Sequence, residues 1–147
     1  MRRAIFPGSF DPFTRGHHDI VMRGLNLFDE IVVCIGNNYS KKNSSTAQER
    51  QKAIQELYAD EARVKVIVYE CLTIDLAKQY EAEFILRGVR SVQDFEYERQ
   101  IAEANKQLGG IETILLYTRP EYAHISSSLV RELQSYGKDV SCMLAKK

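Results

Sequence analysis

The sequence predicts a doubly wound α/β fold with a five-stranded parallel sheet, and three observations carry that expectation. Short runs rich in β-branched residues alternate with segments whose apolar residues recur at helical spacing. The strand-like runs, such as Glu30 to Ile35 and Val64 to Tyr69, are almost continuously apolar, as strands covered on both faces require. The 147 residues suffice for one good core, so residues 1–147 are expected to form a single domain.

Taken in order, Arg2 to Phe6 reads as the first buried strand. Ile20, Val21, Leu25 and Phe28 then repeat at helical spacing, which predicts a helix from near Gly16 or His17 to just before Asp29. Glu30 to Ile35 is too short and too β-branched to prefer helix and becomes the second strand. Gly36 to Ser45 is a polar, turn-rich loop with Lys41 and Lys42 at its centre. Thr46 and Glu49 have capping-box spacing and open a helix through Ile54, Leu57 and Tyr58. Val64 to Tyr69 is the third strand, and Thr73 is placed to cap a short helix through Leu76, Ala77 and Tyr80. Phe84 to Leu86 is a short fourth strand running into Arg87. Asp94 to Leu108 is the longest helical pattern and stops at Gly109-Gly110; Thr113 to Tyr117 is the fifth strand. Ser126 to Ser128 opens a last helix through Leu129, Val130 and Leu133 that ends at Gly137, leaving Lys138 to Lys147 without an assignment.

Composition narrows the function classes. With 44% apolar and 27% charged residues the chain is globular rather than disordered. A formal net charge of zero gives no whole-molecule field for nucleic acid. No apolar run approaches the roughly 20 residues of a membrane span, and Met1-Arg2-Arg3 leads into a strand instead of a signal-peptide core, so a cytoplasmic protein without membrane contact is expected. Cys34, Cys71 and Cys142 form no Cys-x-x-Cys pair and are expected to be reduced structural thiols.

In doubly wound sheets ligands sit beyond the carboxyl ends of the strands, where the winding direction reverses. The distinctive residues fall there: Ser9, Thr14 and His17 after the first strand, Lys41 after the second, Thr73 after the third, Arg87 to Arg90 after the fourth, and Tyr122 to Ser128 after the fifth. Pro7 to Asp19 joins an apolar strand to a helix through a glycine-containing turn, the arrangement that brings backbone N–H groups and a positive helix end to a phosphate. It lacks the spacing of both the dinucleotide fingerprint and the P-loop. Thr14 and His17, three residues apart at a helix entrance, are positioned to face one ligand, and Gly16 between them allows close approach to the backbone. Arg87 and Arg90 flank Gly88 and offer paired donors to phosphate oxygens; the competing reading is a surface pair bridged to Asp94 or Glu96. Three consecutive serines at a helix start exceed what one N-cap needs.

These motifs together resemble a known family. Pro7-Gly8-Ser9-Phe10-Asp11-Pro12 followed by Thr14-x-Gly16-His17 looks like the T/HxGH signature of the nucleotidyltransferase superfamily. Arg87-Gly88-Val89-Arg90 with Asp94-Phe95-Glu96-Tyr97-Glu98, and Ile125-Ser126-Ser127-Ser128, are similar to segments of the phosphopantetheine adenylyltransferase family. The likeness runs through nearly the whole chain in order. It implies a Rossmann-like nucleotidyltransferase domain that joins ATP and 4'-phosphopantetheine to give dephospho-coenzyme A and pyrophosphate. By position, His17 would stabilise the transition state with Lys41 and Arg90. ATP would be held by Ser9, Phe10, His17, Gly88, Val89, Arg90, Glu98, Tyr122, Ala123, His124, Ile125, Ser126, Ser127 and Ser128. Phosphopantetheine would be held by Ser9, Lys41, Thr73 and Arg87. The same resemblance implies Mg²⁺ carried by ATP with no protein metal ligands, a homohexamer, and coenzyme A as a feedback ligand. His124 stands where the family often has an aromatic residue. A phosphate monoester is mostly dianionic at pH 7, its second pKa being about 6, so no general base is required. Two alternatives stay open at this level: another adenylyltransferase of the superfamily acting on nicotinamide mononucleotide, and a catalytically silent nucleotide-binding module.

Overall fold

The computed structural model describes residues 1–37 and 45–147. Its strands are β1 (Arg3–Gly8), β2 (Glu30–Gly36), β3 (Val64–Tyr69), β4 (Phe84–Val89) and β5 (Glu112–Tyr117). They pair in parallel in the order β3-β2-β1-β4-β5, which bears out the doubly wound five-stranded sheet. The winding reverses between β1 and β4, so the ligand crevice of the fold belongs at their carboxyl ends. The helices are α1 (Arg15–Gly24), α2 (Ala47–Leu57), α3 (Thr73–Gln79), α4 (Val92–Gly109) and α5 (Ser127–Ser135).

Alternate strand residues feed two buried clusters. Ala4, Phe6, Ile31, Val33 and Leu86 pack with Ile20 and Val21 of α1 and Ile54 of α2 on one face. Ile5, Val32, Cys34 and Ile85 pack with Leu76 and Ala77 of α3 on the other. The strict period of two explains why both faces are covered although the strands read as unbroken apolar runs. Ile125, Val130 and Val140 form a third cluster that seats α5 and the segment after it.

Several boundaries differ from the sequence reading for physical reasons. β4 continues to Val89 because β5 is long enough to pair with it throughout, Arg87 with Leu115 and Gly88 with Leu116. Arg87 and Gly88 are therefore strand residues that point to opposite faces, not members of a loop after the strand. β1 pairs with β2 through Gly8 but with β4 only at Ala4 and Ile5. Pro7 has no N–H to offer a ladder at this point, and the two central strands part at their carboxyl ends. Thr73 does not cap its helix: Leu72 occupies the N-cap position, without a side-chain bond, and Thr73 is the first helical residue. α1 ends at Gly24, so Leu25 and Phe28 are buried beyond the helix. α4 begins at Val92 under the cap of Ser91 and closes at Gly110, whose φ of 68° suits glycine.

The segment left unassigned also has a defined place. Leu144 forms an antiparallel bridge with Thr14, the Arg15 N–H donates to the Met143 carbonyl at 3.0 Å, and the Ala145 N–H donates to Phe13 at 3.3 Å. Residues 143–145 thus pair with the turn that leads into α1. The three cysteines are free, Cys34 buried and the other two exposed; burial raises the Cys34 thiol far above its ordinary range, as befits a packing residue.

Candidate active site

Where β1 and β4 part, a cleft of about 350 Å³ opens, walled by Gly8 to Phe10, the first turn of α1, Gly88, Arg90 and the start of α5. A second cavity of about 180 Å³ adjoins it, lined by Pro7, Tyr69, Thr73, Ile85, Ile101 and Asn105 among others. Gly8, Arg87 and Glu98 border both.

The first wall is an aromatic knot around an imidazole. Phe10 sits at φ 50° and lays its ring over Gly8, where any Cβ would come within 2.8 Å of that ring. Its centroid is 5.0 Å from Phe6, 5.1 Å from Phe13 and 5.0 Å from His17, while Phe13 lies against the imidazole at 5.3 Å. This burial drives the His17 pKa down to about 3, with the charges of Arg87 and Arg90 pushing the same way, so the ring is neutral at physiological pH. The Thr14 N–H donates to His17 Nδ1 at 3.0 Å, and Thr14 Oγ1 accepts from the His17 N–H at 3.4 Å: a capping box with histidine in the glutamate place. Because Nδ1 is an acceptor, the ring proton resides on Nε2 and serves as a donor into the cleft. Thr14 is buried and its hydroxyl caps α1, and it lines the cleft beside His17. His18 is turned away and bonds Tyr58 at 2.8 Å.

The second wall carries the arginines, each tied to a carboxylate. Arg87 Nε and Nη2 donate to the two oxygens of Glu98 at 3.0 and 2.7 Å, and Nη1 donates across the gap between the central strands to the Pro7 carbonyl. Arg90 donates from Nε to Asp94 at 3.0 Å, and its backbone N–H donates to the same oxygen at 3.1 Å. The competing reading of an ion pair with Asp94 thus holds for Arg90, on the wall of the cleft rather than away from it. Gly88 faces Ile20 of α1, where a Cβ would stand 3.1 Å from Cγ1. Its missing side chain therefore serves helix packing, and the same residue lines the cleft.

The third wall is the start of α5. Ser126 Oγ caps the helix by accepting from the Leu129 N–H at 3.1 Å, Ser127 Oγ donates to the Pro12 carbonyl at 2.8 Å, and Ser128 Oγ accepts from Arg131 at 3.2 Å. The first helical N–H groups, those of Ser127 and Ser128, have no partner within the helix and aim outward. Neutral imidazole donor, helix N-terminus, arginines and a water-sheltered aromatic wall together form a surface for an oligophosphate.

Comparison with known proteins accords with this geometry. Residues 5–133 match the family model described as cytidylyltransferase-like. Phosphopantetheine adenylyltransferase of Phocaeicola vulgatus is 56% identical over 144 residues, covering 98% of this chain and 95% of the relative. The enzymes of that name from Bacteroides fragilis and Flavobacterium johnsoniae are 53% and 51% identical, over 99% and 98% of this chain and 97% and 95% of theirs. The chain belongs to the phosphopantetheine adenylyltransferase family.

Among the residues that the sequence assigned to a site, Ser9, Phe10, His17, Gly88, Arg90, Glu98 and Ile125 to Ser128 line the main cleft. Arg87 borders both cavities, and Thr73 lines only the smaller. Val89 is buried, with its carbonyl accepting from Thr118, and does not line the cleft. Tyr122 and Ala123 lie outside the lining, and His124 is exposed. Lys41 lies outside the described residues. Sequence reasoning missed Thr118, Asp94 and Arg131, all on the cleft wall. A basic residue one helical turn past Ser127 was the available signal for Arg131. Arg50 was missed as well: it is buried and donates to the Ser9 carbonyl from α2, holding the turn after β1.

Proposed function

We propose that this chain transfers the adenylyl group of ATP to 4'-phosphopantetheine, releasing pyrophosphate and forming dephospho-coenzyme A. The observation that carries this reading is the pair of adjoining cavities bordered jointly by Arg87, Glu98 and Gly8. A nucleotide fits the larger, polar cleft, and an elongated, mostly apolar acceptor with one phosphate fits the smaller cavity beside Tyr69, Ile85, Ile101 and Ala102. The acceptor phosphate then lies at Arg87 and Ser9, between the two.

An oxygen of the acceptor phosphate attacks the α-phosphorus of ATP while the bond to the bridging oxygen of the β-phosphate breaks, and pyrophosphate carries that electron pair away. The nucleophile is already ionised, so the protein's work is to position and to neutralise charge. His17 Nε2–H donates to an equatorial oxygen of the five-coordinate phosphorus. It does so as a neutral group, needing no proton transfer. Arg90 adds charge, and Lys41 is assigned the same role by its position in the family pattern. Mg²⁺ would enter with ATP as part of the substrate and would offset part of the charge on its phosphates.

Self-association belongs to the same proposal, as a hexamer, with coenzyme A as a competing ligand of the paired cavities. It is supported by α4, which leaves Val92, Phe95, Tyr97, Ile101 and Leu108 exposed on one helix. A cytoplasmic site of action is also proposed, in keeping with the absence, among the described residues, of a helix long and apolar enough to cross a membrane.

Pyrophosphate release with MgATP tests the reading, with phosphopantetheine, nicotinamide mononucleotide and glycerol 3-phosphate offered in parallel. Release with phosphopantetheine alone is expected. Release with another acceptor would overturn the substrate, and ATP binding without release would leave a silent nucleotide-binding module. Sedimentation of the purified chain checks the assembly.

A further inference from the structure

A buried charge stands behind the cleft without a counter-ion. Arg50 of α2 is 5% exposed, and it forms no ion pair among the described residues. Its Nε donates to the Thr46 carbonyl at 3.3 Å and its Nη1 to the Ser9 carbonyl, while Nη2 is buried with no acceptor. Burying a guanidinium without a carboxylate costs stability, and the fold keeps this one where Nη1 reaches the turn after β1. Ser45, just before the same helix, donates from Oγ to Asp11 Oδ1 at 3.0 Å, so the start of α2 is bonded to that turn twice.

The carbonyl that Arg50 holds belongs to the peptide unit that sets the backbone of Phe10. The Ser9 carbonyl and the Phe10 N–H share one plane, and φ of Phe10 is the rotation of that plane about the N–Cα bond. This φ is 50°, in the left-handed region that a residue with a Cβ disfavours. At an ordinary negative φ the ring would leave its place over Gly8 and its contact with His17, whose centroid is 5.0 Å away. We infer that Arg50 is a positioning residue for the transfer: by fixing the Ser9 carbonyl it holds Phe10 left-handed and its ring against His17; the inference rests on the adenylyl-transfer reading. Arg50 lines neither of the two cavities, so it acts only through this turn. Held in place, the ring screens the imidazole from water; released, it lets Nε2–H donate to water in place of the phosphorus oxygen. Arginine is suited to the task because Nε and Nη1 diverge at fixed angles, so the bond to Thr46 aims the bond to Ser9.

The test compares Arg50→Met, which keeps the apolar stem, and Arg50→Lys with the unaltered protein. In the Met variant kcat should fall on the order of 10- to 100-fold, and the Lys variant should recover part of the loss. The deciding readout is the His17 imidazole followed by NMR against pH, its signals assigned with His17→Gln. In the unaltered protein the ring should stay neutral down to about pH 5, and in the Met variant its midpoint should move up toward the ordinary 6.5. Arg87 and Arg90, not Arg50, are the charges that act on this ring, so removing the Arg50 charge does not by itself move it. Phe10→Ala takes away the ring through which Arg50 works, and adding Arg50→Met to it should lower kcat by less than about twofold more. A Met variant that is merely less stable, with the His17 titration unmoved, would overturn the inference, and so would full additivity in the double variant. If the Met variant does not fold, the Lys variant decides by the same titration, and an unmoved ring there overturns the inference. An unaltered protein that releases no pyrophosphate from MgATP and phosphopantetheine would instead overturn the functional reading, and this inference with it.

Discussion

The backbone N–H of Thr14 points at Nδ1 of His17 from 3.0 Å, and this bond sets which face of the imidazole carries the proton. A ring that must donate from Nε2 and is held neutral can stabilise phosphate charge without titrating in the physiological range. His17→Ala should therefore lower kcat on the order of 10²- to 10³-fold while MgATP still binds, as loss of a donor to a developing charge does elsewhere. Steady-state kinetics beside direct ATP binding checks it, and near-normal turnover would remove His17 from the chemistry.

The same ring makes a prediction about pH. Its folded pKa of about 3 lies below the ordinary 6.5, so the unfolded chain binds a proton there that the folded chain refuses. Stability from this group is complete above pH 6.5 and is lost as pH falls from 6.5 toward 3. Denaturant unfolding of the unaltered protein and His17→Gln should show curves that run parallel above pH 7 and converge or cross below it. In the kinetics, an acid limb near pH 6 should report the acceptor phosphate and persist in the His17 variant.

Gly16→Ala separates the needs of the fold from those of the ligand. An added Cβ would meet Thr14 Oγ1 at 3.6 Å and Tyr122 Cβ at 3.9 Å, ordinary contacts, so the fold accepts it. Melting temperature should be unchanged or slightly raised, since alanine in a helix is favoured over glycine by roughly 0.5 to 1 kcal/mol. If phosphate lies on this backbone, kcat/KM should fall on the order of 10²-fold. Full activity would show that no ligand comes close to Gly16.

Glu98 is buried and grips Arg87 with both oxygens. Glu98→Ala should cost about 1 to 3 kcal/mol of stability, less than a wholly buried pair because Arg87 is partly exposed. It should also raise KM for phosphopantetheine more than for ATP, because the freed guanidinium no longer aims at the border of the two cavities. Glu98→Gln, which keeps one acceptor, should fall between. Equal effects on both substrates would argue that Glu98 touches the nucleotide directly.

Asp94 faces the same cleft as the phosphates it would repel, while its Oδ2 holds both Arg90 donors. Asp94→Asn keeps an acceptor and removes the charge, so KM for MgATP should drop by about 2- to 5-fold at low salt and by less at high salt. A rise in KM would mean that aiming Arg90 outweighs the repulsion.

The fold was legible because apolar periodicity carried it: Glu30 to Ile35 and Val64 to Tyr69 could be little else than buried strands, and the glycines after Leu108 closed α4 where expected. Strand ends were not legible, since the extent of β4 depends on β5, a partner far along the chain. In the site, His17, Arg87, Arg90 and the serines were visible by spacing. Arg131 was not, because its place on the cleft wall follows from how α5 packs against the turn after β1, which spacing does not encode; Asp94, four residues after Arg90, was visible as its ion-pair partner but not as part of the cleft wall. That Phe6, Phe10 and Phe13 together form the desolvating wall of His17 was not legible either, because it depends on how the turn after β1 folds back over the strand.

Arg15 and Leu144 are bonded to each other yet lie 129 residues apart. A ribosome adding 5 to 20 residues per second needs on the order of ten seconds to make the second after the first. During that interval β1, the aromatic knot and His17 have emerged, but the segment that bonds to residues 13–15 does not yet exist. The helix entrance that presents His17 is thus among the last parts of the domain to be completed during synthesis, and a nascent chain is expected to hold ATP poorly until residues 143–145 clear the exit tunnel.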